Sequence, residues 1–344
     1  MRALIVAVAL AVLPYAPPAR PAPVPITPPS HFHNLVHTYS IVAVDPTNGD
    51  LGVAVQSKFP NVGGIVPWAR AGVGAVATQS LSNTTFGEKG LELMEEGATA
   101  EEALRILTRA DQALQDRQVG MVDARGNAAS FSGTTTFDWS GGRVGRPDGT
   151  PGSVAGGKGE FIAGHGYSAQ ANTMVSDQTV KNLAETFEHS TGSLADRLMT
   201  ALQAGQAGGG DKRGMQSAAL LVVRKNGGYL GGNDRFIDIR VYDAPDPIKE
   251  LKRLLALHKL HFFPSEPADL LPITPDLLSK LEPILLREPV NQPEKWLKAP
   301  QGQVNQTFLV ALRDFMYWEN YDVRVRMDGK IDRVVLDDIL KKRR

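Results

Sequence analysis

Three short turns restrict what this chain can fold into. Asn48-Gly49, Arg125-Gly126 and Asn226-Gly227 each stand between two runs of apolar or small residues. Glycine supplies the positive φ that a tight reversal needs, so each turn predicts a β-hairpin. The paired runs are 38–44 with 51–56, 118–122 with 128–132, and 217–223 with 235–242. A further strand is expected at 72–79, rich in Gly, Ala and Val, where small residues permit close approach of another layer or a ligand.

Between the hairpins the period changes from two to 3.6. Thr99-Ala100-Glu101-Glu102 reads as a capping box, followed by Ala103, Leu104, Leu107 and Ala110 on one stripe. Ser176 is expected to cap a helix carrying Val180, Leu183, Ala184 and Phe187. Leu194, Leu198 and Leu202 mark the next helix, ending at Gly205. Asp246-Pro247 opens another, with Ile248, Leu251, Leu254 and Leu255 inward. Residues 141–160 hold eight glycines and read as a long loop. Strands joined by tight turns are antiparallel, and strands apolar at nearly every position are covered on both faces. The expectation is an α/β (α+β) fold: a four-layer αββα sandwich of two mainly antiparallel sheets. After Phe263 the composition shifts. Residues 264–300 carry eight prolines, and 301–344 return to a helical pattern. A small helical C-terminal domain over 264–344 is therefore expected behind a main domain at 37–263.

The N-terminus reads as a targeting segment. Met1-Arg2 precedes eleven apolar residues, Ala3 to Leu13. That run is short of the roughly 20 residues a membrane span needs and suits a signal-peptide core. A signal peptide is expected over 1–22 and a proline-rich linker over 23–36, which puts the protein in the periplasm or outside the cell. Lysine plus arginine equals aspartate plus glutamate at 37 each, which argues against nucleic acid or an anionic membrane as partner. There is no cysteine, so disulfides, thiolate metal sites and a cysteine nucleophile are excluded. A nucleophile must then be Ser, Thr, Lys or a carboxylate.

Several local patterns read as structure rather than chemistry. Gly152 to Gly159 matches most of a phosphate-binding loop but lacks the final Ser or Thr that would hold magnesium. His31, His33 and His37 cluster beside the linker with no carboxylate nearby in sequence, and His165 sits in a glycine-rich stretch. There is no G-x-S-x-G elbow. No metal or cofactor is expected. Thr38 differs because it starts the first core strand. Freed as an N-terminus, it would carry a nucleophilic hydroxyl and, in its own α-amine, a base of pKa about 7.7–8.0. Lys58 follows the second strand and could tune charge there. Gln79, Asn172 and Gln216 are amides near strand or helix ends, suited to donate to an oxyanion. Asp211-Lys212-Arg213-Gly214 sits between flexible glycines and a buried strand, as a ligand rim would.

Together these segments form a recognisable series. Thr38-Tyr39-Ser40-Ile41-Val42-Ala43, Leu51 to Lys58, Ala71 to Gln79, Arg117-Gln118-Val119-Gly120, Ala169-Gln170-Ala171-Asn172 and Gly209 to Leu220 occur in that order. Over about residues 37–258 the chain resembles the domain-of-unknown-function family numbered 1028, grouped with the Ntn (N-terminal nucleophile) hydrolases. The resemblance implies the αββα sandwich and an amidohydrolase-type ancestry. By this resemblance Thr38 matches the residue that follows the initiator Met in many relatives; the hydrolase reading takes Thr38 as nucleophile and base, Lys58 to tune charge, and Asn172 or Gln79 to stabilise the oxyanion. Ser57, Asp211, Arg213 and Gln216 are the substrate contacts expected. Ala171 replaces the glycine usual in that family's Gln-Gly-Asn motif. Here 37 residues precede Thr38, so an N-terminal nucleophile requires a cut after His37. The segments Phe315 to Asn320, Gly329 to Asp332 and Val335-Leu336 resemble the peptidoglycan-binding-like tail of some members.

These features support two functions. One is an exported hydrolase of an amide or related C–N bond, acting on a small-molecule or peptide-like substrate. The other is a non-catalytic, cell-wall-associated binding protein on the same scaffold, holding peptidoglycan through its tail. The sequence leaves a homo-oligomer open.

Overall fold

The computed structural model describes residues 38–136, 138–145, 151–153, 159–287 and 302–342. The expected signal peptide and linker, the three N-terminal histidines and residues 154–158 of the glycine loop lie outside them.

The chain runs β1 (Thr38–Val44), β2 (Leu51–Ser57), β3 (Pro67–Arg70), β4 (Gly74–Ser80), α1 (Thr85–Glu95), α2 (Ala100–Arg109), β5 (Arg117–Asp123), β6 (Asn127–Ser132) and β7 (Trp139–Gly145). Then come β8 (Pro151–Ser153), β9 (Phe161–His165), β10 (Tyr167–Met174), α3 (Gln178–His189), α4 (Leu194–Ala207), β11 (Ser217–Val223), β12 (Arg235–Val241) and α5 (Pro247–Phe262). The C-terminal part adds β13 (Leu270–Pro272), α6 (Pro275–Arg287), α7 (Gln306–Trp318), β14 (Lys330–Asp332) and α8 (Arg333–Lys342).

Seven strands form one sheet in the order β12-β11-β2-β1-β10-β7-β8, and five form another in the order β3-β4-β5-β6-β9. Every ladder among the described residues is antiparallel. Strand residues alternate between two apolar environments, which explains runs that are apolar throughout. On β1, Val42 and Val44 face the gap between the sheets, where Val53, Val55, Ala75, Ala77, Val122 and Ala219 meet them. Tyr39, Ile41 and Ala43 point the other way, onto Leu183, Leu198 and Leu202 of α3 and α4. The outer face of the five-stranded sheet, with Val76, Met121 and Phe131, is covered by Phe86, Leu91 and Leu104 of α1 and α2. Three apolar layers thus separate four structural ones, giving the αββα sandwich.

The local signals act where expected. Gly49 takes φ 77° in the β1–β2 turn. The Thr99 hydroxyl accepts from the Glu102 amide, and the Glu102 carboxylate accepts from the Thr99 amide. Asp246 caps α5 with Pro247 in its first turn. Other expectations are corrected. The stretch 141–160 is not one long loop but contains most of β7 and all of β8, with β7 paired between β10 and the edge strand β8. Its glycines serve packing: a Cβ on Gly145 would lie 2.3 Å from the His165 carbonyl oxygen. The strand expected from Gly72 begins at Gly74, because Gly72, at φ 74°, belongs to the turn after β3. Asp177 holds the position before α3 without a side-chain cap bond, and the Ser176 hydroxyl accepts from the Gln178 amide at 3.3 Å. α4 passes through Gly205, where a Cβ would press on Leu183 and Tyr39, and ends at Ala207.

The C-terminal helices enclose a hydrophobic cluster of their own, built on Leu281, Leu285, Phe308, Leu312, Phe315 and Val335, with Leu260 of α5. Arg324, buried, ties this part to α5. Its guanidinium donates to the Lys259 and Leu260 carbonyls, each at 2.9 Å, and pairs with buried Asp332 at 2.5 Å. Three charge-assisted bonds satisfy a cation that burial would otherwise make costly.

Candidate functional site

At one end of the sandwich the gap between the sheets changes from aliphatic to polar. The change follows strand period. Thr38 and Ser40 continue the row of Val42 and Val44, Ser57 continues Val53 and Val55, and Gln79 continues Ala75 and Ala77. Gln118 continues Val122 through Gly120, Ser130 and Ser132 continue Ala128, and Ser168, Gln170 and Asn172 share one face of β10. All of these polar residues are buried.

Thr38 lies on the central strand of its sheet, in register with Ser57 on one side and Asn172 on the other. Its hydroxyl is 2.9 Å from the Ser57 hydroxyl. Its main-chain carbonyl accepts from Gln79 Nε2 at 3.1 Å and from Asn172 Nδ2 at 3.4 Å. Both amides also donate to Gln118 Oε1, at 2.7 Å and 2.9 Å. Gln118 Nε2 in turn donates to the Ala171 carbonyl at 2.8 Å and the Ser132 hydroxyl at 2.6 Å. Ser40 donates to Gln79 Oε1 at 2.6 Å and accepts from Gln170 Nε2 at 2.7 Å. In a low-dielectric interior such a connected set of amides is rigid, because each group's lost partner would be costly. Gly120 makes it possible: a Cβ there would fall 2.0 Å from Gln170 Oε1.

Two strand ends at this site are strained. Ser80, after Gln79, and Thr173, after Asn172, take φ 65° and 58°. For a β-branched residue that conformation is unusual and costs about 1–3 kcal/mol. At Thr173 it accompanies the shift of register between Ala171 and Met174.

Of the residues singled out in the sequence, Thr38, Ser57, Gln79 and Asn172 come together. The two amides differ from the expected oxyanion donors, since their protons are directed at the Thr38 carbonyl and Gln118; they clamp Thr38. Lys58 is half-buried, and its ammonium donates to the Met215 carbonyl at 3.2 Å. Its amide donates to Asp211 Oδ2 at 3.2 Å, and Asp211, buried, pairs with Arg213 at 3.1 Å. Gln216 joins through its main chain, donating to the Ser57 carbonyl at 3.1 Å. On the opposite face of β1, burial pushes the Tyr39 phenol well above its ordinary range, and Asp211 and Asp246 add to this. Tyr39 donates to Gln206 Oε1 at 3.1 Å and stays protonated. Sequence reading missed Ser40, Gln118, Ser132 and Gln170. The signal available was polar residues near one end of six strands whose same face is otherwise apolar or small, at successive alternate positions on β1, β6 and β10.

Residues 38–157 and 149–251 match the model of a family of unknown function, DUF1028. The chain belongs to the DUF1028 family. The family match starts at Thr38, the first residue of the central strand. The chain is also similar to the crystal structure of a Silicibacter pomeroyi protein of the same family model. Sequence identity is 26%, with 65% of this chain and 89% of that one covered at a TM-score of 0.53. No curated protein matches the chain.

Proposed function

We propose that this DUF1028 chain is an exported hydrolase of an amide or related C–N bond that uses Thr38 as an N-terminal nucleophile. One observation carries the reading. The buried Thr38 hydroxyl, at the head of the central strand, has Ser57 Oγ as its hydrogen-bond partner, and a hydroxyl is not a base at neutral pH. On this reading the base is Thr38's own α-amine, released by a cut after His37. That amine takes the Oγ proton as Oγ attacks the substrate carbonyl. The leaving amine departs with a proton, and water hydrolyses the resulting ester. Asn172 Oδ1 supports the same reading: it is buried, has no hydrogen-bond partner among the described residues, and belongs to the cross-strand neighbour of Thr38. A freed ammonium would find its acceptor there. On this reading Asn172 positions the amine, Ser57 orients the hydroxyl and Lys58 tunes charge, with Asp211, Arg213 and Gln216 at the substrate rim.

Intact-mass measurement and N-terminal sequencing of the mature protein test the proposal. A chain beginning at Thr38 is expected, with Thr38→Ala abolishing hydrolysis of chromogenic amides that the wild type cleaves. A mature chain with only an upstream terminus rejects it.

A second reading is a binding protein on this scaffold, held at the cell wall by its C-terminal part. What favours it is the clamp, which already uses the amide donors an oxyanion would need. Co-sedimentation of the full chain with purified peptidoglycan, with no amide cleavage, is its expected outcome.

A further inference from the structure

A groove of about 990 Å³ opens between the turn joining β11 to β12, the last turns of α5 and the loop after α7. Its size lies in the range of small-molecule sites. It contains neither Thr38 nor its partners, so its role is independent of the proposed hydrolase chemistry.

Aromatic rings line one wall. Tyr229 is 73% exposed and Phe262 50% exposed, with ring centroids 6.4 Å apart and planes at 87°. The two rings form an open corner rather than a filled stack. Beside them Leu230 is 89% exposed at φ 53° and ψ 23°. A leucine in the left-handed region is strained, and its exposure recovers nothing within the chain. Tyr229, Leu230 and Phe262 thus leave apolar surface exposed at the groove, as a binding surface would.

The opposite wall is polar but electrically balanced. Arg235 and Arg240 both pair with Asp238, and Asp322 and Asn320 close the groove. Two arginines and two aspartates line it, together with His258 and His261, whose ring nitrogens meet the Phe236 and Asn320 carbonyls. An anion would meet Asp322 and the carbonyl end of α5, where the helix dipole is negative. A cation would meet arginines already held in ion pairs. A purely apolar ligand would desolvate these polar groups without replacing their hydrogen bonds.

We propose that this groove binds a neutral saccharide. A pyranose ring has a flat C–H face and a rim of hydroxyls. The Tyr229 and Phe262 ring faces suit the first, and the planar guanidinium, carboxylate and amide groups suit adjacent hydroxyls as donors and acceptors.

Calorimetric titration of the full chain with cellohexaose and with the hexamer of N-acetylglucosamine tests this. Saturable binding of at least one is expected. Tyr229→Ala and Phe262→Ala should each weaken it about tenfold, and Tyr229→Ala should leave the melting temperature unchanged because that side chain is 73% exposed. No binding of either sugar at millimolar concentration overturns the proposal. So does wild-type affinity in both variants. Light scattering supplies a further check: a dimer that Tyr229→Ala dissociates would show the groove to be covered by a second copy, and would also overturn it.

Discussion

The Thr38 and Ser57 hydroxyls meet 2.9 Å apart across adjacent strands, both fully buried at the end of a gap that is aliphatic elsewhere. Each is therefore the other's replacement for water. Removing one costs the other this bond, whereas removing both leaves no unmatched half of the pair. Ser57→Ala is expected to destabilise the fold by about 1–2 kcal/mol, as is Thr38→Ala. The double variant should cost less than the two together. Urea denaturation of the four proteins measures the coupling; strict additivity would show that the pair contributes nothing beyond its separate parts.

The amide clamp depends on a missing side chain. Gly120 lies where Gln170 crosses from the other sheet, and an added methyl would overlap its Oε1. Gly120→Ala should displace Gln170 from Ser40 and Ser168, its partners at 2.7 Å and 2.8 Å. The expected loss is about 2–3 kcal/mol, well beyond an ordinary Gly→Ala change in a strand. Gly120→Ala combined with Gln170→Ala should recover part of it, since the methyl then has room. A double variant less stable than Gly120→Ala alone would contradict the packing argument.

These residues also explain what the sequence can and cannot reveal. Asn48-Gly49, Thr99-Ala100-Glu101-Glu102 and Asp246-Pro247 are local signals: the bonds they make lie within a few residues, so a short window contains the whole reason. Thr38 is legible as a strand start for the same reason. Gly120 and Gln170 are different, because each is intelligible only with the other, 50 positions away and on the facing sheet. β7 is hidden likewise: its glycines resemble a loop until β10 and the facing sheet are beside them. The polar clamp around Thr38 is built almost entirely from such long-range pairs. Position along the chain points to Thr38, Gln79 and Asn172, but only the packed sheets reveal Gln118 and Gln170.

The capping box supports a helix that covers the five-stranded sheet, so its loss should register globally. Thr99→Ala removes an acceptor for the Glu102 amide and the hydroxyl donor to the Glu102 carboxylate, while the Thr99 main-chain amide, the larger cause of that carboxyl's lowered pKa, stays. A loss of about 1 kcal/mol is expected in denaturant unfolding. Thr99→Ser should lose little of it, because serine caps equally well. Equal losses in both variants would mean that the threonine methyl, not the cap, matters.

The Arg324–Asp332 pair makes a prediction about pH. Burial pushes the Asp332 carboxyl up, but hydrogen bonding and the Arg324 guanidinium outweigh that and hold it below the usual carboxylate range. A carboxylate with a depressed folded pKa stabilises the fold fully above its unfolded value, about 3.9, and the contribution disappears as pH falls through the folded value. Removing the carboxylate at neutral pH strands a buried guanidinium that also holds the end of α5 through the Lys259 and Leu260 carbonyls. Asp332→Asn should therefore cost about 3–5 kcal/mol at pH 7. Below about pH 4 the unfolded chain takes up a proton at this position while the folded carboxylate still holds its charge, so the gap between the two proteins should narrow. Urea midpoints for wild type and Asp332→Asn from pH 7 to pH 3 give the comparison. A gap that stays constant across the whole range would mean that the ion pair does not hold the C-terminal helices to α5, and that packing around Leu260 and Tyr321 does so alone.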